Sequence, residues 1–362
     1  AILAQASELR PNAALWIAPC SAGLPVGLDR AESVRASFVH SSECVGMATI
    51  LAEFDTAHCG MIHDAQLDTF GQCLATASAD GHIRLWDVRK PKEPAFLADL
   101  GGHEGAVHQV AWAPPTAGVL LASASADGTV AVWGRQARGP SHWHRLRHED
   151  LERHGPVRSL AWAPSEHGTA LACASDDGTV TVVTHLGVVR SGEATVEHRW
   201  EARSFQAHGG QALAVSWASP PVFSDKPLGM QGARLATAGD DGVHVWCWSA
   251  ALGSWESEPA EQDAAAEGAG VRDVAWKPWD GIVEMLASAS GRSVTMWTQD
   301  ASSGSWRPQQ GATFAEDVYK VSWAEVGNIL LVSFGQAEQR TALLKQRMDG
   351  VWDTMDVVVQ EE

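Results

Sequence analysis

The chain has 362 residues, of which 45% are apolar and only 19% are charged. No apolar run approaches the roughly 20 residues that span a bilayer, which predicts a soluble, folded protein. The formal charge of −18 repels phosphate backbones and anionic lipid heads, so it disfavours direct binding of nucleic acid or a membrane surface and favours protein partners.

Residues 1–46 precede the first regular pattern and are predicted to be a poorly ordered extension of a domain that spans residues 47–362. The apolar stretch within them is broken by Pro11, Pro19 and Pro25, and Glu8 stands where a secretory signal would be basic. We therefore predict no signal peptide. Met47 is a candidate start of translation, a hypothesis that the intact mass of the native protein tests.

From residue 47 onward the chain repeats one pattern about every 47 to 60 residues. Each copy begins with a strand that ends in Trp, as at residues 107–112 and 157–162. A small-residue strand, a tight Asp turn and an alternating strand closed by Trp follow, most clearly at residues 74–86 and 121–133. Another Trp comes about ten residues later, as at Trp143 and Trp306.

Six copies of this pattern can be counted, the last of them degenerate. Alternation with a period of two and Asp-Gly turns predict antiparallel hairpins. Four short strands per copy, repeated six times, predict an all-β fold, a six-bladed β-propeller. Ala and Ser suit strands crowded near the axis, and Trp fills the gap between neighbouring blades.

Each copy also carries polar residues that can form one buried hydrogen-bonded network of imidazole, hydroxyl, carboxylate and indole. The residues of this predicted structural relay are His58, Asp80 and Trp86 in the first copy, and His103, Asp127 and Trp133, with a Ser of the second strand, in the second copy. We favour a structural role over a catalytic one. The fifth copy has Gly270 and Gly291 in place of His and Asp, so we expect no relay there.

This succession of His and Trp, with Gly102-His103 as its one complete dipeptide, resembles the WD-repeat family over residues 48–359. The resemblance implies the propeller fold strongly and the function weakly. WD-repeat propellers mostly serve as platforms for protein interactions.

The strand count predicts an unusual ring. Six units supply the 24 strands of a closed propeller, yet residues 49–55 add one strand before the first unit, and the last unit has its own outer strand near residues 351–359. Either one terminus is displaced, or one run is surface coil, or the ring is open. An open ring has exposed strand edges, which a partner that donates strands would cover. The predicted partner-binding edge residues are Thr49, Ile50, Leu51, Ala52, Glu53, Phe54, Asp55, Val351, Trp352, Thr354, Asp356 and Val358.

Several stretches resemble one WD-repeat family in particular, the propeller subunits of the COPII outer coat, which the nuclear pore Y-complex also uses. The similar text lies at residues 55–58, 61–68, 98–105, 108–114 and 271–276, with a Pro-rich insertion at 219–231. The resemblance implies an open propeller completed in trans by a blade from a helical scaffold protein. Pro115, the missing Asp turn before Trp297 and extra residues at 336–340 depart from the family's pattern.

Enzyme and metal signatures are not found in a credible context. We searched for a P-loop, GxSxG, HExxH, paired zinc ligands and a dinucleotide fingerprint. Four histidines lie within residues 142–154, but Arg145, Arg147 and Arg153 beside them oppose a cation. The six cysteines have no CxxC spacing, which is typical of reduced thiols in a cytosolic or nuclear protein. We therefore predict no enzyme, no cofactor and no metal.

The sequence thus favours a scaffold subunit of the COPII outer cage in transport from endoplasmic reticulum to Golgi, and of the nuclear pore complex. Its expected partners are helical coat and pore scaffold subunits that donate a blade. The expected locations are the cytosolic face of the endoplasmic reticulum, COPII vesicles and the nuclear envelope, with membrane association only through the coat. The alternative is a peptide-binding WD-repeat adaptor, a closed ring that uses its rim.

Overall fold

Six four-stranded antiparallel sheets follow one another along the chain from residue 62 to residue 356, as the repeats predict. The structure is a computed structural model. It describes residues 2–5, 13–18, 35–41, 47–90, 92–135, 142–191, 195–220, 229–261, 270–300, 302–324, 327–335, 340–347, 350–356 and 358–360. Within each sheet the strands pair in chain order, so every sheet is a simple up-and-down blade.

The first three blades lie between residues 62 and 206, and the other three between residues 212 and 356. Blade one contains Ile62–Leu67, Cys73–Ser78, Ile83–Asp87 and Ala95–Leu100; blade two Val107–Trp112, Leu120–Ser125, Thr129–Arg135 and Trp143–Asp150; and blade three Val157–Trp162, Ala170–Ser175, Thr179–Ser191 and Thr195–Gln206. Blade four contains Ala212–Trp217, Arg234–Gly239, Gly242–Ser249 and Ser254–Glu258; blade five Asp273–Trp276, Met285–Ser290, Ser293–Gln299 and Trp306–Thr313; and blade six Val318–Trp323, Ile329–Phe334, Arg340–Gln346 and Trp352–Asp356.

Helical structure in the described residues is confined to three single 3₁₀ turns, Pro115–Ala117, Glu152–His154 and Ser165–His167. None of the helices in this described part has the length and apolar character needed to cross a membrane.

The first strands of successive blades lie side by side around the propeller axis. Their neighbours, the second strands, are buried along nearly their whole length, as in Leu120–Ser125 and Ala170–Ser175. Ala and Ser occupy most of these positions because blades converge toward the axis and leave little room for larger side chains. The small residues of the repeat therefore mark the most crowded layer of the fold.

Trp residues at the ends of the first strands tie each blade to the one before it. In four blades the indole N–H donates to a backbone carbonyl of the preceding blade's first strand: Trp112 to Gln66 at 3.0 Å, Trp162 to Ala111 at 2.9 Å, Trp217 to Ala161 at 2.8 Å and Trp323 to Ala275 at 3.1 Å. Each of these side chains thus fills the space between two blades and satisfies its polar atom there.

A seventh sheet, which the repeat pattern does not predict, is built from both ends of the chain. Its five strands are Ile2–Gln5, Ala13–Ala18, Arg35–Ser41, Met47–Asp55 and Val358–Gln360, in that order across the sheet. We refer to it as the terminal sheet. The expectation that residues 1–46 are poorly ordered stays a prediction, since most of that range lies outside the described residues.

The predicted outer strand at residues 351–359 is divided in the structure. Trp352–Asp356 pairs with Arg340–Gln346 in blade six, whereas Val358–Gln360 leaves that blade and pairs in parallel with the start of Met47–Asp55. The extra strand of the sequence count is therefore accommodated in another sheet and does not compete for a place in blade six.

Candidate interaction site

The first predicted edge, residues 49–55, lies within Met47–Asp55 in the terminal sheet. Arg35–Ser41 pairs with it on one side. On its other side Val358–Gln360 pairs with residues 47–49 only. The ring of Phe54 lies 5.0 Å from that of Trp86, edge to face, so the end of the strand is packed against blade one. The side chains of Thr49, Ile50, Leu51, Ala52 and Glu53 lie outside the described part.

The second predicted edge, Trp352–Asp356, is the outermost strand of blade six. The ring of Trp352 lies 5.7 Å from that of Trp323, which anchors the strand on the blade's own core. Val351 and Met355 are 54% and 42% exposed. This edge therefore combines a half-buried aromatic anchor with exposed apolar side chains.

The two predicted edges meet through backbone hydrogen bonding. Val358 pairs with Met47, Val359 with Ala48 and Gln360 with Thr49. The sequence analysis treats the two chain ends as separate edges, and their role in binding a partner stays a prediction. The parallel pairing that joins them has no local sequence signal.

The relay of blade two brings all four predicted residue types together. Oγ of Ser123 lies 2.8 Å from Nε2 of His103 and accepts the indole N–H of Trp133 at 2.9 Å. Asp127 reaches His103 less directly, at 3.5 Å, and accepts the hydroxyl of Thr129 at 2.6 Å. Thr129 was not identified from the sequence, although its place directly after Asp-Gly was a usable signal.

Electrostatics in this relay favour a neutral histidine and a charged carboxylate. Burial lowers the pKa of His103, and the Asp127 carboxylate only partly opposes this effect. Burial alone would raise the pKa of Asp127, but hydrogen bonds from Thr129 and the Glu104 N–H lower it to about 2. A buried neutral imidazole with both ring nitrogens bonded acts as a rigid connector between strands.

The relay of blade one lacks its predicted indole member. His58 lies 2.9 Å from Asp80 through Nδ1 and 2.9 Å from Thr76 through Nε2. Nε1 of Trp86 is buried and makes no hydrogen bond. Thr76 instead lies 3.3 Å from the backbone carbonyl of Arg84, so the hydroxyl's proton has a backbone acceptor.

Blade four contains another relay. His208 contacts Thr237 at 2.8 Å, and Thr237 accepts the indole N–H of Trp246 at 3.0 Å. The carboxylate that bonds Nδ1 of His208 belongs to Asp241 and not to the adjacent Asp240. Asp240 accepts the N–H of Gln211 instead. Two successive aspartates cannot be distinguished by sequence spacing alone.

One group of three possible metal ligands occurs within the described residues: His208, Asp241 and His244, whose ligand atoms lie within 4.8 Å of one another. Two imidazoles and a carboxylate suit zinc. However, His208 and Asp241 already bond each other as His58 and Asp80 do in blade one. The group is therefore explained by the relay and does not need an ion.

Close to the axis, the structure assembles charges that the sequence analysis missed. Nζ of Lys320 in blade six lies 3.4 Å from Oδ1 of Asp64 in blade one. Asp64 also accepts the N–H of Val110, and Asp273 of blade five accepts that of Val321 at 2.8 Å. Each of the three charged residues stands three residues before the end of its first strand, and that shared position was the available signal.

Burial changes the pKa of two members of this axial cluster of Asp64, Asp273 and Lys320. Burial raises the pKa of Asp273 to about 6, and the Lys320 ammonium only partly opposes the shift. Burial also disfavours the charged form of Lys320, but attraction from Asp64 and Asp273 outweighs it and raises the pKa of Lys320. The cluster thus holds a lysine charged between two acids.

The described cysteines are free thiols. Burial raises the pKa of Cys73 to about 12 and raises that of Cys173 as well. Neither thiol ionises near neutral pH, so neither has the thiolate that a nucleophile requires.

Comparison with known proteins shows which family this chain is similar to. The WD40 family, described as "WD domain, G-beta repeat", matches residues 49–87, 95–134 and 145–183. Among solved structures, a chain of "Crystal Structure of Mitotic Checkpoint Complex" is similar over 94% of this chain, with a TM-score of 0.61 at 18% identity. That similarity concerns the fold alone.

Three relatives are similar over most of their length. "Protein SEC13 homolog" of Drosophila melanogaster is 37% identical over 84% of this chain and 83% of its own. "Protein SEC13 homolog" of Homo sapiens is 39% identical over 84% of this chain and 92% of its own. "Protein transport protein sec13" of Aspergillus clavatus is 37% identical over 81% of this chain and 98% of its own. The chain belongs to the SEC13 family of WD-repeat propellers.

Proposed function

We propose that this protein is a non-enzymatic scaffold subunit of a protein-transport coat, the outer COPII cage that carries cargo from endoplasmic reticulum to Golgi. Family membership supports a role in protein transport, since that is the role printed in the name of the Aspergillus relative. The WD40 fold and the chemistry of the described site support a non-enzymatic role, because the relay histidines and aspartates are occupied in bonding one another.

The proposed partner is a helical scaffold subunit that donates strands at the junction of blades six and one. The observation that carries this proposal is the outer strand of blade six. Among the described strands, Trp352–Asp356 pairs with Arg340–Gln346 alone. Its Met355 and the preceding Val351 are exposed to solvent. An exposed strand with apolar side chains is the surface that an added strand recognises, since main-chain bonds provide affinity and alternate side chains provide specificity.

The same surface suits a lasting interface in a coat or in a nuclear pore scaffold. Such interfaces are large and more apolar than transient ones, which fits the exposed Val351 and Met355 at this edge. The corresponding locations are the cytosolic face of the endoplasmic reticulum, COPII vesicles and the nuclear envelope. Membrane association would then come only through the assembled coat.

The test is co-expression with a strand-donating segment of a candidate coat scaffold, comparing Met355→Asp with Leu252→Asp. Leu252 is 68% exposed in a turn of blade four, far from the junction in sequence, so it controls for adding a charge to an exposed apolar site. We expect Met355→Asp to weaken the complex about tenfold or more and Leu252→Asp to leave it unchanged. Equal binding by both variants would contradict the proposed edge.

A second candidate, a rim-reading adaptor, is favoured by a ring of histidine, arginine and tyrosine side chains. His63, His108, Arg158, Arg272 and Tyr319 occupy the second position of their first strands or directly precede them. The rings of His63 and His108 lie 5.5 Å apart, and the Arg272 guanidinium lies 4.8 Å from the Tyr319 ring. Burial lowers the pKa of His63 and of His108, so the two arginines are the charged members of the ring. Arginine side chains suit an acidic peptide.

The scaffold remains the better supported function because the two arginines of this ring already have carboxylate partners. Arg158 pairs with Asp176 at 2.6 Å and Arg272 with Asp317 at 3.2 Å. If the protein is an adaptor, Tyr319→Ala should abolish capture of its partner and Met355→Asp should not.

A further inference from the structure

The terminal sheet has the topology of a propeller blade. Its first four strands run in chain order, each antiparallel to the next, with Ile2–Gln5 at one side and Met47–Asp55 toward the other. The six WD blades have the same arrangement, in which the first strand of each blade is the innermost. A meander of four strands is the unit from which propellers are built.

The position of the sheet is also that of a blade. Ile2–Gln5 lies beside Ile62–Leu67, the first strand of blade one, in the way that the first strands of neighbouring WD blades lie beside one another. The other neighbour of Ile62–Leu67 is Val107–Trp112 of blade two. The terminal sheet therefore adjoins blade one on the side away from blade two, which is the side of the junction with blade six.

The chain itself connects the terminal sheet to both blade one and blade six. Met47–Asp55 leads into Ile62–Leu67 of blade one, and Phe54 packs on Trp86 there. Val358–Gln360 follows Trp352–Asp356 of blade six and pairs with Met47–Thr49 of the terminal sheet. A segment tied to its site in this way competes with a partner's strands at an effective concentration on the order of millimolar.

From this placement we infer that the terminal sheet acts in cis as a seventh blade. It occupies the junction between blades six and one and must be displaced before a partner can insert its own strands there. This inference rests on the proposed function for the identity of the displacing partner. It adds a regulatory step, because only molecules whose junction is open can bind that partner. The apparent affinity is the intrinsic affinity multiplied by the fraction of such molecules.

The experiment compares the full chain with two variants at Leu15. This residue pairs with Ala4 on one side and Phe38 on the other, so it lies in an interior strand of the sheet. Leu15→Pro removes a backbone N–H that an interior strand needs, whereas Leu15→Val retains it and favours the strand conformation. Leu15→Val is therefore the matched control.

The first readout is amide hydrogen exchange of the free full-length proteins. We expect exchange within Ala13–Ala18 and Arg35–Ser41 to be slowed about 100-fold or more in the unmodified chain and in Leu15→Val. In Leu15→Pro we expect this protection to be lost, together with that of Val358–Gln360, while blades one to six keep theirs. Exchange of Ala13–Ala18 at the unfolded rate in the unmodified chain would overturn the inference.

The second readout is binding of the coat scaffold's strand-donating segment. We expect Leu15→Pro to bind it about tenfold or more tightly than the unmodified chain and Leu15→Val do. Equal binding by all three proteins would overturn the inference and leave the proposed function standing. No binding by any of them would contradict the proposed function, and the exchange data would then decide the cis blade independently.

Discussion

Lys320 and Asp64 lie 256 residues apart in the sequence, yet Nζ of the lysine is 3.4 Å from Oδ1 of the aspartate. The pair links the first strands of the last and first WD blades near the axis. Asp64 is only 1% exposed, and its carboxylate lies close to the Lys320 ammonium and accepts the N–H of Val110.

Replacing Lys320 with Met should destabilise the propeller, because Asp64 would keep a buried charge without its cation. We expect a loss of about 1–3 kcal/mol in the free energy of unfolding, measured by urea denaturation at pH 7. Lys345→Met is the control, since Lys345 is an exposed residue of blade six. A similar small change in both variants would show that the axial pair contributes nothing.

Asp273→Asn should alter how stability depends on pH. The folded protein holds the carboxyl's proton up to a pKa of about 6, whereas the unfolded chain releases it near its ordinary value of 3.8. The raised folded pKa means that this contribution to stability is full below about pH 4 and is lost as the pH rises through 6. Asn keeps an acceptor for the Val321 N–H and does not titrate.

We therefore expect the stability of Asp273→Asn relative to the unmodified chain to increase by up to about 3 kcal/mol between pH 4 and pH 8. Thermal unfolding across this range measures it. Asp87→Asn should change little over this range. The hydrogen bond from Arg89 lowers the pKa of Asp87, so the contribution of Asp87 to stability is lost only as the pH falls below about 4. A pH-independent difference for Asp273→Asn would mean that the carboxyl has its ordinary pKa.

Ser123→Ala should cost more than Ser288→Ala. Ser123 bonds two buried groups, the imidazole of His103 and the indole of Trp133, whereas the Oγ of Ser288 accepts the Trp297 indole in a blade without the relay histidine. Each buried polar group left without a partner costs about 1–3 kcal/mol. We expect the loss at Ser123 to exceed that at Ser288 by about 1 kcal/mol in chemical denaturation, and equal losses would count against a joint relay.

Gly178→Ala and Gly168→Ala separate a steric requirement from a conformational one. Both glycines have a φ near +80°. A Cβ at Gly178 would lie 2.3 Å from the carbonyl oxygens of His208 and Gly210, whereas one at Gly168 would meet nothing within 4 Å. We expect about 1 kcal/mol of destabilisation at Gly168 from backbone strain and at least about 3 kcal/mol at Gly178. Similar thermal shifts would show that the loop carrying Gly210 moves aside easily.

The sequence by itself determined the repeated units of the fold. Alternation in strands, Asp-Gly turns and the recurring Trp are local signals, and they located all six blades and the outer-strand Trp residues such as Trp143 and Trp306. The same regularity identified His103, Asp127 and Trp133 as neighbours, because residues at fixed places in successive hairpins must meet within one blade.

Only the tertiary structure decided what happens where repeats meet or end. Pairing of Lys320 with Asp64, the choice of Asp241 over Asp240 and the division of the last strand into Trp352–Asp356 and Val358–Gln360 all depend on groups brought together from distant parts of the chain. The terminal sheet is the largest example, since a parallel pairing between the two chain ends leaves no periodic mark in either segment. Local patterns fix the strands of a blade, and contacts between distant parts of the chain fix which strands become neighbours.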